Sequence, residues 1–218
     1  EDGILERRNL RINIFGVANS KKALLDNHGI GRGWRADFAA HAQPYSIDSL
    51  IEYIEQHNLE NVVVVDNTAS ADFVRNYPRF VSAGYDIVAS NKVGNTISYD
   101  FYASLRRLLK QKGKTFLYET NVGAGLPLVD TIRQLHHSGD KIRRIRGVFS
   151  GTLSYIFNHF SEEDKDFYTI LREAMERGYT EPDPREDLCG NDVARKLLIL
   201  AREIDLKSEF SDIAIENL

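Results

Sequence analysis

A chain of 218 residues is long enough for one large domain or two small ones, and 42% hydrophobic and 28% charged residues are ordinary for a soluble globular protein. A net charge of −4 without any basic run argues against a nucleic acid or an anionic membrane as partner. The single cysteine, Cys189, excludes an intrachain disulfide. Because the sequence contains neither an apolar run of transmembrane length nor a signal peptide, we expect a cytoplasmic protein.

The first half of the chain alternates between strand and helix patterns, which is typical of an α/β domain with a parallel sheet. Val62–Val65 is a continuous β-branched run, as expected of a central strand buried on both faces. These patterns predict a Rossmann-type parallel sheet. We expect this sheet to be partial, because the Gly-x-Gly-x-x-Gly turn that normally follows the first strand does not occur in the sequence. The other predicted elements are strands at Leu10–Val17, Asp86–Ala89 and Thr115–Tyr118 and helices at Ser46–His57 and Tyr99–Gln111.

Polar turns follow two of the predicted strands, at the sheet edge where open parallel sheets bind their ligands. The turn at residues 68–70 is suited to contact a nucleotide, but it is also suited to cap the helix that follows it. Lys92 follows the strand at Asp86–Ala89. A lysine in a loop is normally only a surface charge, so the strand-end position is what makes Lys92 a candidate.

The second half of the chain begins with a turn at residues 119–127 that contains two glycines and a proline. Two interpretations of this turn are open. Its backbone carbonyl groups could face a common point, or the turn could be a glycine-rich hinge. Lys141–Phe149 alternates polar and apolar residues, which predicts a strand with one exposed face. Ser150 is placed to cap a helix through Phe160, a second helix is predicted at Asp164–Arg177, and a further strand is predicted to begin at Asp212–Leu218.

The segment Gly178–Lys196 is rich in acidic residues. Pro182 and Pro184 predict a stiff loop, and an apolar stripe predicts a helix from Asp192. Asp192 and Lys196 are four residues apart and are therefore neighbours on the shoulder of that stripe, where a partly desolvated lysine can donate and accept a proton. The alternative is an ordinary solvated ion pair. The rigid acidic loop beside the pair suggests a ligand that carries an ammonium group.

This segment resembles the signature of the homoserine dehydrogenases, with no departure at its fixed positions. Such a signature is far more specific than a lone glycine motif. The resemblance extends along nearly the whole chain and is strongest to the dehydrogenase half of the fused aspartokinase–homoserine dehydrogenases. The matching residues are Ala174, Gly178, Tyr179, Thr180, Asp183, Pro184, Asp187, Leu188, Gly190, Asp192 and Lys196.

The resemblance implies the NAD(P)-dependent interconversion of L-homoserine and L-aspartate 4-semialdehyde, in the biosynthesis of threonine and methionine. It implies a dinucleotide-binding domain at residues 1–122 and an α+β domain for substrate binding and dimerisation at residues 123–218. In this family the glycine-rich turn precedes a strand like Leu10–Val17, and the chain continues past the last residue present here. We therefore expect a chain truncated at both ends.

The resemblance also assigns roles to individual residues. Lys196 would be the general acid and base, Asp192 would hold it and balance its charge, and Lys92 would orient the cofactor and substrate or share the proton transfer. Glu181 and Asp187 would bind the ammonium group of the substrate. The remaining substrate-binding residues that it implies are Tyr179, Gly151 and Thr152.

A nicotinamide cofactor and a cation complete the expected site. The turn that contains Lys21 carries no carboxylate, which favours NADP over NAD without excluding NAD. The carboxylate of Glu119 and three carbonyl groups, those of Val122, Ala124 and Leu126, would surround a monovalent cation such as sodium. The cofactor-binding residues that the resemblance implies are Ala18, Asn19, Ser20, Lys21, Thr68, Ala69, Ser70, Asn91 and Lys92.

Two other functions stay open at this point. The chain could be an inactive folded or dimerising fragment, because the glycine-rich turn is missing, or a related dehydrogenase that acts on another amino-acid-derived aldehyde. The expected partners are the small-molecule substrate, a second copy of the chain in a homodimer or higher oligomer, and a fused N-terminal aspartokinase domain. No nucleic acid or membrane is expected.

Overall fold

The computed structural model describes residues 7–180 and 183–216. The chain divides into two compact units between Val62 and Val63. The domain boundary expected between residues 122 and 123 stays a prediction. Among the described residues, no helix is both long enough and apolar enough to cross a lipid bilayer.

Between residues 16 and 56 the first unit contains a small antiparallel sheet and two helices of 8 and 10 residues. Strands β1 and β2 form a hairpin in which Val17 lies opposite Leu24. The side-chain oxygen of Asn19 closes the hairpin turn, because it accepts hydrogen bonds of 2.9 Å from the backbone amides of Lys21 and Lys22. The elements are β1 (Gly16–Ala18), β2 (Lys22–Leu25), α1 (Trp34–His41), β3 (Gln43–Pro44) and α2 (Ile47–Gln56).

The predicted strand at Leu10–Val17 is wrong in its extent and in its pairing. Only its last two residues belong to β1, which pairs antiparallel with β2 instead of joining a parallel sheet. The apolar residues of its first part are exposed: Leu10 by 56%, Ile12 by 47% and Ile14 by 44%. An alternating segment forms a strand only where a neighbouring strand accepts and donates its backbone hydrogen bonds. Within this segment, β2 provides those hydrogen bonds to the residues of β1 alone.

The second unit contains the predicted parallel sheet, in the order β4–β5–β6. Asp66 at the end of β4 is paired with Ala89 at the end of β5, so the carboxyl ends of both strands lie at one edge. The strands and the helices between them are β4 (Val63–Asp66), α3 (Ala71–Val74), α4 (Tyr77–Ser82), β5 (Asp86–Ala89), α5 (Val93–Thr96), α6 (Tyr99–Lys112) and β6 (Phe116–Leu117).

The two faces of this sheet differ in exposure. Ile87 is fully buried, and Phe116 packs edge-on against Tyr77 of α4 with ring centroids 5.4 Å apart. On the opposite face, Val65 is 60% exposed and Leu117 is 54% exposed. The prediction that Val62–Val65 is buried on both faces is therefore wrong. Within the second unit, α4 and its aromatic contacts cover one face of the sheet, and the face that carries Val65 is exposed.

In the described part of the chain, five helices follow the sheet, and several of them pack on one another. Ile156 of α8 packs with Ile170 and Ala174 of α9, and all three are fully buried. Helix α11 packs on α5 and α7 and buries Ile199 completely. These helices are α7 (Leu128–His137), α8 (Gly151–Glu162), α9 (Phe167–Glu176), α10 (Pro184–Leu188) and α11 (Asn191–Glu203), with single 3-10 turns at Glu119–Asn121 and Phe210–Asp212.

The capping prediction for α8 is confirmed, since the hydroxyl of Ser150 accepts a hydrogen bond from the amide of Leu153. The helix predicted at Asp164–Arg177 is present as α9, which begins three residues later, at Phe167, and ends at Glu176. Two strand predictions are wrong: Lys141–Phe149 and the described part of Asp212–Leu218 contain no strand. Both patterns are amphipathic, but neither finds a pairing partner among the described residues. Pro184 opens the short helix α10 rather than lying in a loop.

Candidate active site

Three charged side chains from two distant parts of the sequence meet at one point. The ammonium nitrogen of Lys196 lies 2.6 Å from Oδ2 of Asp192, and that of Lys92 lies 3.2 Å from Oδ1 of the same carboxylate. Lys196 also donates a hydrogen bond of 2.7 Å to the backbone carbonyl of Phe149. The structure therefore brings together the three residues predicted to carry the chemistry.

Each of these side chains is held by the element that carries it. Lys92 follows β5 and is the N-terminal cap residue of α5, so it projects from the carboxyl edge of the parallel sheet. Asp192 and Lys196 occupy successive turns of α11, where residues four apart face the same side. Gly190 precedes α11 with a φ of 73°, a conformation that glycine adopts without strain. This glycine lets the chain turn from α10 into α11.

The three side chains are largely removed from water, with exposures of 12% for Asp192, 17% for Lys196 and 25% for Lys92. Burial alone would raise the pKa of Asp192, but the hydrogen bond from Lys196 and the charges of both lysines outweigh it and lower that pKa. Asp192 is therefore a carboxylate at neutral pH. Two ammonium groups around one carboxylate leave a net positive charge, which suits a site that stabilises a developing alkoxide.

Lys196 has more hydrogen-bond donors than its described contacts use. An ammonium group has three N–H donors, and the bonds to Asp192 and Phe149 use two of them. Since residues 7–180 and 183–216 supply no further contact to this amine, the third donor is left for a substrate oxygen. A lysine held on two sides with one free donor is preorganised to transfer a proton at a fixed position.

A buried hydrogen-bond cluster supports the backbone beside Lys92. Asp66, only 1% exposed, accepts from the hydroxyl of Tyr77 at 2.6 Å and from the side-chain amide of Asn91 at 3.0 Å. The same amide nitrogen of Asn91 also lies 3.3 Å from Oγ1 of Thr68 and 3.2 Å from the carbonyl of Ser70. Asn91 thus ties the turn after β4 to the turn after β5.

The predicted cofactor-binding residues fall into two groups, one in each unit. Ala18, Asn19, Ser20 and Lys21 form the exposed hairpin turn of the first unit. Thr68, Ala69 and Ser70 are exposed at the carboxyl end of β4, and Ser70 also caps α3, so the capping alternative for this turn is confirmed. Asn91 is buried, and its side-chain amide holds the turn at Thr68 and Ser70 in place. Contact of these residues with a cofactor stays a prediction.

The predicted substrate-binding residues are brought together in part. Oγ1 of Thr152 donates a hydrogen bond of 2.5 Å to the carbonyl of Tyr179, which joins the start of α8 to the segment after α9. Asp187 is buried in α10, and α10 packs against both α8 and α11. Gly151 is exposed at the first position of α8. Glu181 lies outside the described residues.

The predicted cation ligands surround the start of α7. The carboxylate of Glu119 accepts hydrogen bonds from the backbone amides of Val129 at 2.8 Å and Asp130 at 3.0 Å, so it caps this helix. Ala124 has a φ of 53°, which turns the backbone sharply between Val122 and Leu126. One carboxylate and several carbonyl groups are the hard oxygen donors that a monovalent cation takes, so the residues fit such an ion, whose binding stays a prediction.

Two contributors to the site were not anticipated from the sequence. The carbonyl of Phe149 is a backbone group that any residue could supply, so no sequence signal could have identified it. Asp66, by contrast, directly follows the run of valines in β4. A carboxylate directly after an apolar strand marks Asp66 as a residue that needs hydrogen-bond partners if it is buried, but it does not identify Tyr77 or Asn91 as those partners.

Comparisons with known proteins match both parts of the chain. Residues 127–218 match the family described as homoserine dehydrogenase, and residues 3–119 match the family described as homoserine dehydrogenase, NAD binding domain. A bifunctional aspartokinase/homoserine dehydrogenase from Buchnera aphidicola is 44% identical over 215 residues, which covers 98% of this chain and 26% of that protein. The chain spans about a quarter of the length of this and other bifunctional curated relatives.

Solved structures share the fold. A Candida auris protein of unknown function is 32% identical and covers 96% of this chain and 62% of its own, with a TM-score of 0.80. A hyperthermophilic archaeal homoserine dehydrogenase, solved in complex with NADPH, is 22% identical and covers 93% of this chain and 64% of its own, with a TM-score of 0.73. This second likeness concerns the fold alone.

Proposed function

The chain belongs to the homoserine dehydrogenase family, and we propose that the protein interconverts L-homoserine and L-aspartate 4-semialdehyde with a nicotinamide cofactor. The observation that carries this proposal is the convergence of Lys92 and Lys196 on the carboxylate of Asp192. Reduction of an aldehyde adds one hydride to carbon and one proton to oxygen. The three side chains are suited to supply that proton and to hold the oxygen that receives it.

Lys196 is the general acid in the direction of homoserine formation. Its free N–H is directed at the carbonyl oxygen of the aldehyde and protonates the alkoxide as it forms, and in the reverse direction the neutral amine removes the hydroxyl proton of homoserine. Asp192 keeps the amine in place and compensates its charge. Lys92 supplies the second positive charge and orients the substrate oxygen.

The ammonium group of the amino-acid substrate needs an acidic partner, and we assign it to Glu181 and Asp187. Asp187 supports this assignment because it lies in α10, directly before the helix that carries Asp192 and Lys196. Thr152 and Tyr179 border the same region through the contact between α8 and α10. Gly151 opens α8 without a side chain, which leaves room for the substrate there.

When bound, the nicotinamide cofactor supplies or accepts the hydride. Thr68, Ala69 and Ser70 are suited to contact it because they are exposed at the carboxyl edge of the parallel sheet. Lys21 is exposed on a turn without a carboxylate, which favours the 2′-phosphate of NADP over the free ribose of NAD. The carboxylate of Glu119 and the carbonyl groups of the turn around Ala124 would hold a sodium ion.

The Buchnera relative supports a fused N-terminal aspartokinase domain. Homodimerisation and a cytoplasmic location remain predictions. The test of the proposed function is homoserine oxidation by the full-length protein, followed as NADPH absorbance, with Lys196→Ala as the variant. A panel of other amino-aldehydes separates this activity from that of a related dehydrogenase. Titration of the 218-residue chain with NADPH separates an active chain from an inert fragment.

A further inference from the structure

Arg202 is a buried cation whose hydrogen bonds go mainly to backbone carbonyls. Its side chain is fully buried, and its Nη1 donates bonds of 2.8 Å to the carbonyls of both Asn95 and Ile97. Its other nitrogens donate to the carbonyl of Ser208 and, at 3.3 Å, to the carboxylate of Glu209. A guanidinium stays charged and has five donors in a rigid fork, so it can hold several acceptors at once.

The two carbonyls that Nη1 binds belong to the C-terminal end of α5. Helix α5 covers only four residues, Val93–Thr96, so it has few internal hydrogen bonds of its own. The last carbonyls of a helix lack internal partners and carry partial negative charge, which a buried cation satisfies. Arg202 therefore stabilises a helix that is too short to be stable alone.

Helix α5 is attached to α11 at both of its ends. At its N-terminal end, Lys92 contacts Asp192, and at its C-terminal end Arg202 holds Asn95 and Ile97. Asp192 and Arg202 are ten residues apart on α11, which is about 15 Å along the helix axis. Two attachments so far apart fix both the position and the direction of α5 along α11.

We propose that Arg202 is a positioning residue for the active site: by holding the C-terminal end of α5 it sets the position of Lys92 relative to Asp192. The inference rests on the proposed function, in which Lys92 orients the substrate oxygen. Arg202 itself lies away from the reacting atoms. Its loss should loosen the contact between Lys92 and Asp192 while Asp192 and Lys196, which share one helix, keep theirs.

The experiment measures the Lys92–Asp192 contact directly, in the full chain without cofactor or substrate. Lysine is incorporated biosynthetically with ¹³C and ¹⁵N, so that the ammonium groups stay unmodified, and the Lys92 side-chain resonance is assigned from its loss in Lys92→Arg. Asp192→Asn displaces that resonance because the carboxylate is its neighbour. In the Arg202→Gln background we expect more than half of this displacement to be lost, and the Lys196 displacement to remain.

Arg133→Gln is the matched control. Arg133 pairs with Glu203 of α11 at 2.9 Å and bonds to the hydroxyl of Tyr118 at 3.0 Å, but its described bonds do not reach α5. This variant should lower the free energy of unfolding and leave the displacement of the Lys92 resonance at its wild-type size. An equal loss in the control would overturn the proposal, because the effect would then report general loosening.

A folded Arg202→Gln chain that keeps the full displacement also overturns the proposal. If Arg202→Gln does not fold, Arg202→Lys decides, because it keeps a buried cation with fewer donors. In the Arg202→Lys background, the shift of the Lys92 resonance caused by Asp192→Asn should be smaller than in the wild-type background. Such a reduced shift supports the positioning role, and a shift of the wild-type size overturns it. Turnover is not measured, so a failure of the proposed function, seen as an unchanged kcat in Lys196→Ala, stays distinguishable from a failure here.

Discussion

Lys196 and Asp192 form an ion pair of 2.6 Å within one helix, and both side chains are more than four-fifths buried. An exposed pair at this spacing contributes only a few tenths of a kcal/mol. Here the contact with Lys92 and the bond to Phe149 remove the pair from water and fix its direction. Residues at this spacing are usually an exposed surface pair, but here they form the buried centre of the candidate site.

The first prediction concerns Lys196→Ala in the full-length protein. Because Lys196 acts on the transferred proton, kcat should fall by roughly 10²- to 10⁴-fold, and KM for homoserine should change much less. Lys165→Ala is the matched control, since Lys165 is an exposed lysine that pairs with Glu163 and Glu173. Steady-state kinetics decide. A loss confined to KM would make Lys196 a binding residue.

The second prediction concerns the pH dependence of stability. The folded-state pKa of Asp192 is lowered, so its contribution to stability is present above the unfolded-state pKa and is lost as the pH falls through the folded-state value. Asp192→Asn should therefore lower the free energy of unfolding by about 2 kcal/mol at pH 7, with the difference from wild type shrinking below about pH 4. Urea unfolding at several pH values measures it.

Asp86→Asn serves as the control for that experiment. Asp86 accepts hydrogen bonds from the backbone and hydroxyl of Thr115, and its pKa is also lowered, but it lies at the start of β5. Its replacement should lower stability and leave kcat unchanged, whereas Asp192→Asn should lower both. Equal kcat values for wild type and Asp192→Asn would contradict the assigned role of Asp192.

The third prediction separates two roles of Glu119. As the cap of α7, its carboxylate stabilises the helix start, so Glu119→Ala should cost about 1 kcal/mol in any salt. If the same carboxylate also binds sodium, wild type should be more stable in sodium chloride than in tetramethylammonium chloride, and the variant should lose that difference. Denaturation in the two salts measures both effects. An unchanged free energy of unfolding would disprove the capping role.

The fourth prediction concerns the contact between Thr152 and Tyr179. Thr152→Val removes a hydrogen bond that joins the start of α8 to the segment after α9, so KM for homoserine should rise several-fold and the free energy of unfolding should fall by about 1 kcal/mol. Thr152→Ser keeps the hydroxyl and should restore both values. Kinetics and unfolding of the two variants provide the test, and a KM equal to wild type in Thr152→Val would place this contact outside the substrate site.

The sequence allowed the meeting of Lys92, Asp192 and Lys196 to be predicted because two kinds of signal agreed. Helical spacing placed Asp192 beside Lys196, and the family resemblance added Lys92, which is a hundred residues away from Asp192. By contrast, the buried contacts of Asp66, Asn91 and Tyr77 join three elements, and no local pattern encodes such a meeting.

The failed strand predictions have a common physical cause. Leu10–Val17 and Lys141–Phe149 both alternate in polarity, and alternation reports which faces a segment could present. It does not report whether a neighbouring backbone is there to form the ladder. The parallel strands β4 and β5 were predicted correctly because each is short, rich in β-branched or apolar residues, and followed by a polar turn.

Asn91 gives the molecule a small mechanical linkage. Its single side chain is bonded to the turn at Thr68 and Ser70, and its carbonyl oxygen accepts from the amide of Val93, beyond Lys92. The two turns are therefore held to each other through one side chain. If the turn at Thr68 binds the nucleotide as proposed, ordering of that turn would also restrain the turn that carries Lys92. Cofactor binding and the position of Lys92 would then be coupled through Asn91.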